Sequence, residues 1–176
     1  MFPLVITNLL LGAINCALTI DGLHENNHLP RGYQSRVQIC SRIYDESNAQ
    51  GLRPELAMAV GWLESRYSNA KGRWLTTRGG RRVRAEGPMQ ILKIYHCRRN
   101  PRCDTLSTGV RLLARLVREN GELEGLAIYG GGSVNPKSLR YARIAIRTSR
   151  EIKELLLENN LSLPDFLDLN LDLNLD

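Results

Sequence analysis

GWLESRY, residues 61–67, sets one glutamate among Trp62, Leu63 and Tyr67. Read alone, Glu64 would be a solvated residue at a helix end. The chain before it says otherwise. Pro54 suits a first helical turn, and Glu55 beside it complements the positive end of the helix dipole. Leu56, Val60, Leu63 and Tyr67 then recur at i, i+4, i+7 and i+11, which predicts a helix with a buried stripe. Glu64 follows Leu63 and lies one turn past Val60, so it falls at the edge of that stripe, near the helix end.

Outward from this helix, Val37, Cys40 and Tyr44, with Ile39 and Ile43, predict a helix from about Ser35 to Asn48. On the other side, Trp74–Thr77 and Arg81–Arg84 flank Arg78, Gly79 and Gly80 and predict a small β-hairpin. A helix is expected over Met89–Tyr95 and another over Thr105–Asn120, whose Leu106, Val110, Leu113 and Val117 share one face behind a cap at Asp104 or a nearby hydroxyl. A shorter helix over Leu123–Tyr129 stops at Gly130, Gly131 and Gly132. Asn135-Pro136 opens a long helix towards Glu158. The pattern is mainly α with one hairpin, and 176 residues suit a single domain.

The two ends read differently. Leu4–Ile14 has the length of the apolar stretch of an export signal, although no Lys or Arg precedes Arg31 and an Ala-x-Ala cleavage pattern is poorly formed. Residues 1–20 are therefore expected to be a signal peptide or apolar leader, and 21–33 a polar linker. Residues 159–176 end in FLDLNLDLNLD, a low-complexity tail read as disordered or as an interaction segment. Cys97 and Cys103 bracket a short polar loop and are a disulfide candidate worth about 2–3 kcal/mol. Cys40 is left unpaired if Cys16 departs with the leader. His24, His28 and His96 do not combine with the cysteines at zinc-site spacing, so no metal is expected.

The net charge of +6 is uneven: between Arg66 and Arg118 many Lys and Arg, among them Arg78, Arg81, Arg82, Arg84, Arg98, Arg99 and Arg102, face only Glu86 and Asp104. Such a surface is either simply solvated or suited to an anionic polymer.

Three segments now fall in order: PELAMAVGWLESRYSNA with its Glu-Ser pair, AEGPMQI with Gly-x-Met-Gln, and GLAIYGGG with Ala-x-Tyr before glycines. Together they resemble the soluble lytic transglycosylase-like family of the lysozyme-like superfamily over roughly Gly51–Ile146, including Tyr141 where a tyrosine usually opens the following helix. The resemblance implies a lysozyme-like domain over 34–158, helices around a cleft with one small hairpin. It implies Glu64 as catalytic acid and base, Ser65 orienting that acid or the sugar, Met89 and Gln90 lining the cleft floor, and Tyr129 facing the carboxyl. Gly130 departs from the family, which usually has Asn after that tyrosine.

The chemistry agrees with the residue types. Cleaving a glycosidic bond needs a carboxylic acid that keeps its proton near neutral pH, and an apolar wall raises a carboxyl pKa by disfavouring the charge. A hydrolase would also use a second carboxylate, yet no Asp or Glu occurs from Ser65 to Ala85, and Glu86 is the nearby candidate. Its absence elsewhere suits a mechanism in which the substrate supplies its own help, with no cofactor; the resemblance implies attack by the muramyl 6-hydroxyl and a 1,6-anhydro product. The expected partner is a peptidoglycan strand, acted on outside the cytoplasm by a monomer. Its setting is periplasmic or secreted, serving wall remodelling, a secretion or conjugation machine, or a phage. The competing readings are a hydrolytic lysozyme, in which Glu86 takes part, a non-catalytic wall-binding module and, weakest given the export features, a nucleic-acid binder. No nucleic-acid partner is expected.

Overall fold

A helix whose every turn is apolar belongs in the middle of a protein, and that is where Pro54–Ser65 lies. In a computed structural model the backbone is described for residues 3–23, 31–77 and 79–171, and side chains for 12–23, 31–77 and 79–158. The elements run α1 (Pro3–Leu23), α2 (Tyr33–Ala49), α3 (Pro54–Ser65), β1 (Lys71–Thr76), β2 (Arg82–Glu86), α4 (Lys93–His96), α5 (Thr105–Asn120), α6 (Glu122–Gly131) and α7 (Pro136–Leu171). The protein is mainly helical, with one two-stranded antiparallel sheet. No helix among the described residues is long and apolar enough to cross a membrane.

Leu56 through Val60 and Trp62 are all buried, so α3 is enclosed on more than the single stripe its spacing predicts. It packs between α2 and α7, while α5 and α6 pair with each other and α6 leans on α7. Full burial runs through Trp62, and Leu63, Glu64 and Ser65 on the last turn are half-buried, so the carboxyl stands at the rim of the apolar interior. Glu64 sits on that last turn.

The end of α3 is tightly specified. Arg66 and Tyr67 both adopt left-handed backbone, φ 54° and 53°, an arrangement that non-glycine residues keep only when their surroundings enforce it. Here the amide of Arg66 closes on the Trp62 carbonyl at 2.9 Å, and the guanidinium of Arg66 covers the Trp62 ring. Arg36 donates to the Arg66 carbonyl. Tyr67 folds back beneath the helix and donates its hydroxyl to the Met58 carbonyl at 3.0 Å. Gly61 makes room: a Cβ there would lie 2.6 Å from Ile43 Cδ1 and 3.2 Å from the Tyr67 ring.

Several elements differ from the sequence pattern. The hairpin strands are longer and shifted, because Lys71 pairs with Glu86 and Trp74 with Arg84 across an irregular register; β-propensity marks only their middles. Residues 87–90 form a turn, Ile91 bridges back to Glu86, and the helix expected over Met89–Tyr95 shrinks to Lys93–His96. Gly87, at φ 78°, and Gln90, at φ 48°, hold that turn in left-handed backbone, which a helix cannot use. Asp104 caps α5 through its carboxylate, which accepts from the Leu106 amide at 2.9 Å.

The leader region is helical and joined to the rest. Within residues 12–23, Cys16, Thr19 and Ile20 are fully buried, and α1 packs on α2 and α7. Cys16 is bonded to Cys40, and Cys97 to Cys103, so none of the four cysteines is free. Cutting after residue 20 would remove one half of the first bridge. The linker residues 24–30 and Arg78 lie outside the described residues, as do tail residues 172–176. The rest of the tail, 159–171, continues α7 as backbone. Its period-2 alternation favours a strand, but propagating an existing helix costs far less than starting a sheet without a partner strand.

Candidate active site

The hairpin on one side and α5–α6 on the other leave a cavity of about 790 Å³ with Glu64 in its wall. Leu75, Ala85 and Gln90 come from the hairpin and its exit turn, His96 from α4, Leu112, Arg115 and Leu116 from α5, and Ile128, Tyr129 and Gly130–Gly132 from the end of α6. Among the described residues Glu64 is the only carboxylate in that lining, which also holds Arg73 and Arg115.

Burial lifts the Glu64 carboxyl above its ordinary value of 4.5, and a hydrogen bond from Tyr141 works in the opposite direction without cancelling it. That bond is short: the Tyr141 hydroxyl donates to Glu64 Oε1 at 2.6 Å. Both Tyr141 and Tyr129 have phenol pKa values well above normal, first through burial and then through the nearby Glu64 charge, so both hydroxyls remain protonated donors.

The sequence-named residues reach this site in different ways. Tyr129 lines the cavity within reach of the Glu64 charge, its hydroxyl donating to the Met89 carbonyl at 2.7 Å, while the hydrogen bond to the carboxyl comes from Tyr141. Met89 is fully buried and presents its carbonyl rather than its thioether to that bond; Gly109 lets it approach, since a Cβ there would lie 2.3 Å from Met89 Cβ. Gln90 does line the cavity. Its Nε2 donates to the Ala70 and Gly87 carbonyls at 3.0 and 2.9 Å, tying the start of β1 to the exit turn of β2.

Ser65 is absent from the lining. Its hydroxyl donates to the Pro88 carbonyl at 2.9 Å and accepts from the Ser68 amide at 3.0 Å, fastening the end of α3 to the 87–90 turn. Glu86 also stands outside the cavity, where Lys93 and Arg84 pair with it at 3.3 and 3.9 Å.

Two features were not named from the sequence as site residues. Tyr141 meets Glu64 across a separation of 77 residues, which no local spacing reveals. The α5 wall, Leu112, Arg115 and Leu116, reads in sequence as an ordinary amphipathic helix. For Tyr141 the usable signal was its position on the helix that follows the Ala-x-Tyr segment together with Gly130: a Cβ at Gly130 would lie 2.4 Å from Tyr141 Cδ1, so the glycine opens the space the ring occupies. No protein family, curated protein or solved structure matches the chain.

Proposed function

We propose that this protein cleaves the β-1,4 bond between N-acetylmuramic acid and N-acetylglucosamine in peptidoglycan as a lytic transglycosylase, on a lysozyme-like domain. One observation carries the reading: a desolvated carboxyl, Glu64, hydrogen-bonded by Tyr141, in the wall of a cavity with no second carboxylate among the described residues.

The chemistry follows from that arrangement. Glu64 holds its proton at higher pH than a solvated glutamate and gives it to the leaving glycosidic oxygen as the C1–O bond breaks. The cation left at C1 is stabilised by the substrate's own N-acetyl oxygen, since the cavity supplies no anionic partner for it. Glu64, now charged and steadied by the Tyr141 hydroxyl, withdraws the proton of the muramyl 6-hydroxyl while that oxygen attacks C1. The 1,6-anhydro ring closes and the acid is restored. General acid catalysis of this kind contributes about 10²–10⁴ in rate. Arg73, Arg115 and His96 in the lining suit a substrate that carries carboxylates. The two disulfides support a setting outside the reducing cytoplasm, periplasmic or secreted, or delivered there by a phage or secretion machine.

Hydrolysis with Glu86 as the second carboxylate is less well supported, because Glu86 is paired with Lys93 away from the cavity. Mass spectrometry of the sugars released from purified peptidoglycan, with wild type beside Glu64→Gln, tests the proposal. Anhydro-muramyl products that vanish in the variant are expected. Reducing ends would mean a lysozyme, and no release by either protein would mean a binding module.

A further inference from the structure

A second concavity of about 650 Å³ opens beside the first, and its charge is almost entirely of one sign. The loop closed by the Cys97–Cys103 bridge contributes Arg98, Arg99 and Asn100; α5 contributes Arg111 and Arg115. No Asp or Glu among the described residues lines it. Asp104, next to Cys103 in the chain, is turned to Arg42 and caps α5. Among the described residues none of these arginines has a carboxylate within ion-pair distance; Arg98 instead donates to the Ile94 carbonyl at 3.1 Å and lies over the Tyr95 ring.

Such a cluster is unfavourable left to itself. Arg111 and Arg115 are one helical turn apart, a like-charge spacing that costs a helix stability. The disulfide then pins two further guanidinium groups against them. The positive field is felt by His96, whose pKa is pushed below normal by burial and by Arg115. A fold that holds repelling charges in a concave wall gains when an anion enters, and guanidinium groups present the planar forks that carboxylates match.

The position of the cluster identifies the anion. Tyr95, His96, Leu112 and Arg115 line both concavities, so the basic one continues the Glu64 cavity. We infer that this basic extension binds the carboxylates of the acidic peptide attached to the glycan whose sugars occupy the Glu64 cavity, making the protein selective for peptide-bearing strands. The inference rests on the proposed glycan-cleaving reading of Glu64.

Binding to the full-length Glu64→Gln protein, which keeps the strand intact, separates the two. The probes are soluble glycan strands with their peptides, the same strands stripped of peptide by an amidase, and poly(glycerol phosphate) and duplex DNA as phosphate polymers. The pocket variant is Arg99→Gln with Arg111→Gln, two exposed side chains that line only the basic extension. Peptide-bearing strands are expected to bind about tenfold tighter than stripped ones, equivalent to about 1.4 kcal/mol, and the double variant is expected to lose that advantage while binding stripped strands unchanged. Equal binding of the two strands, or an equal loss for both in the double variant, overturns the inference. So does tighter binding of either phosphate polymer through the same two arginines, which would assign the pocket to phosphate. Absence of strand cleavage by the wild type would sink the Glu64 reading alone, because the comparison of strands is read from binding.

Discussion

Gly130→Ala tests whether the Tyr141 contact governs Glu64. Gly130 lies in the last turn of α6, where an added Cβ would stand 2.4 Å from Cδ1, 2.6 Å from Cε1 and 2.9 Å from Cγ of Tyr141. Ordinary van der Waals contact begins near 3.4 Å, so the ring must recede by about 1 Å. The Tyr141 hydroxyl donates at 2.6 Å; moved by the same amount along the bond, it stands about 3.6 Å away, beyond hydrogen-bonding distance. Alanine in place of a helical glycine gains about 0.5–1 kcal/mol. Overpacking against the ring costs about 1–3 kcal/mol, and the lost hydrogen bond about 1 kcal/mol more. The cost wins: a net loss of about 1–3 kcal/mol lowers Tm by roughly 2–10 °C for a chain of this size.

The assay is thermal unfolding together with fragment release from peptidoglycan, run as a double-mutant cycle with Tyr141→Phe. Gly130→Ala is expected to reduce release by about tenfold or more, the loss of about 1.4 kcal/mol of transition-state stabilisation. In the Tyr141→Phe background, where the hydroxyl is already gone, it should reduce release little further, while the packing cost to Tm persists. A Gly130→Ala protein with wild-type melting and activity, or equal fractional losses in both backgrounds, refutes the reasoning.

Four further outcomes are expected. Burial raises the Glu64 carboxyl in the native state above its ordinary 4.5, so between those values the folded protein holds a proton that the unfolded chain has released. Stability from this group is therefore full below the ordinary value and falls as pH rises to the raised one; Glu64→Gln should melt with the wild type in acid and above it at neutral pH, and a pH-independent difference would contradict the assignment. Release by the wild type should decline over the same rise in pH as the acid loses its proton. Cys40→Ser removes a bridge spanning 24 residues and should cost the full-length oxidised chain about 3 kcal/mol in denaturant unfolding, with no change meaning that α1 is not held as the structure places it. Glu86→Gln should leave release within about twofold, since its carboxylate faces Lys93; a loss of about 100-fold would reinstate it as a catalytic partner.

The sequence alone carried most of the central element types, because burial periodicity and terminal signals are local; the 87–90 turn and the helical course of 159–171 were not among them. The α3 stripe, the Asp104 cap, the glycine stop near residue 130 and the hairpin all follow from residues within a few positions of one another. It also carried the suspicion attached to Glu64, a charge at the rim of an apolar face. What the tertiary structure decided are contacts between distant segments. The hydrogen bond to the carboxyl comes from Tyr141, because Gly130 opens the space for the α7 ring, while the Tyr129 hydroxyl donates to the Met89 carbonyl. Ser65 donates to the Pro88 carbonyl, a contact between segments 23 residues apart, and Glu86 pairs with Lys93. The partner of Cys40, and the alignment of the disulfide loop with α5 that makes the arginines one wall, belong to the same class. Local sequence sets which face of a helix is apolar; which other face it meets is chosen by packing of the whole chain.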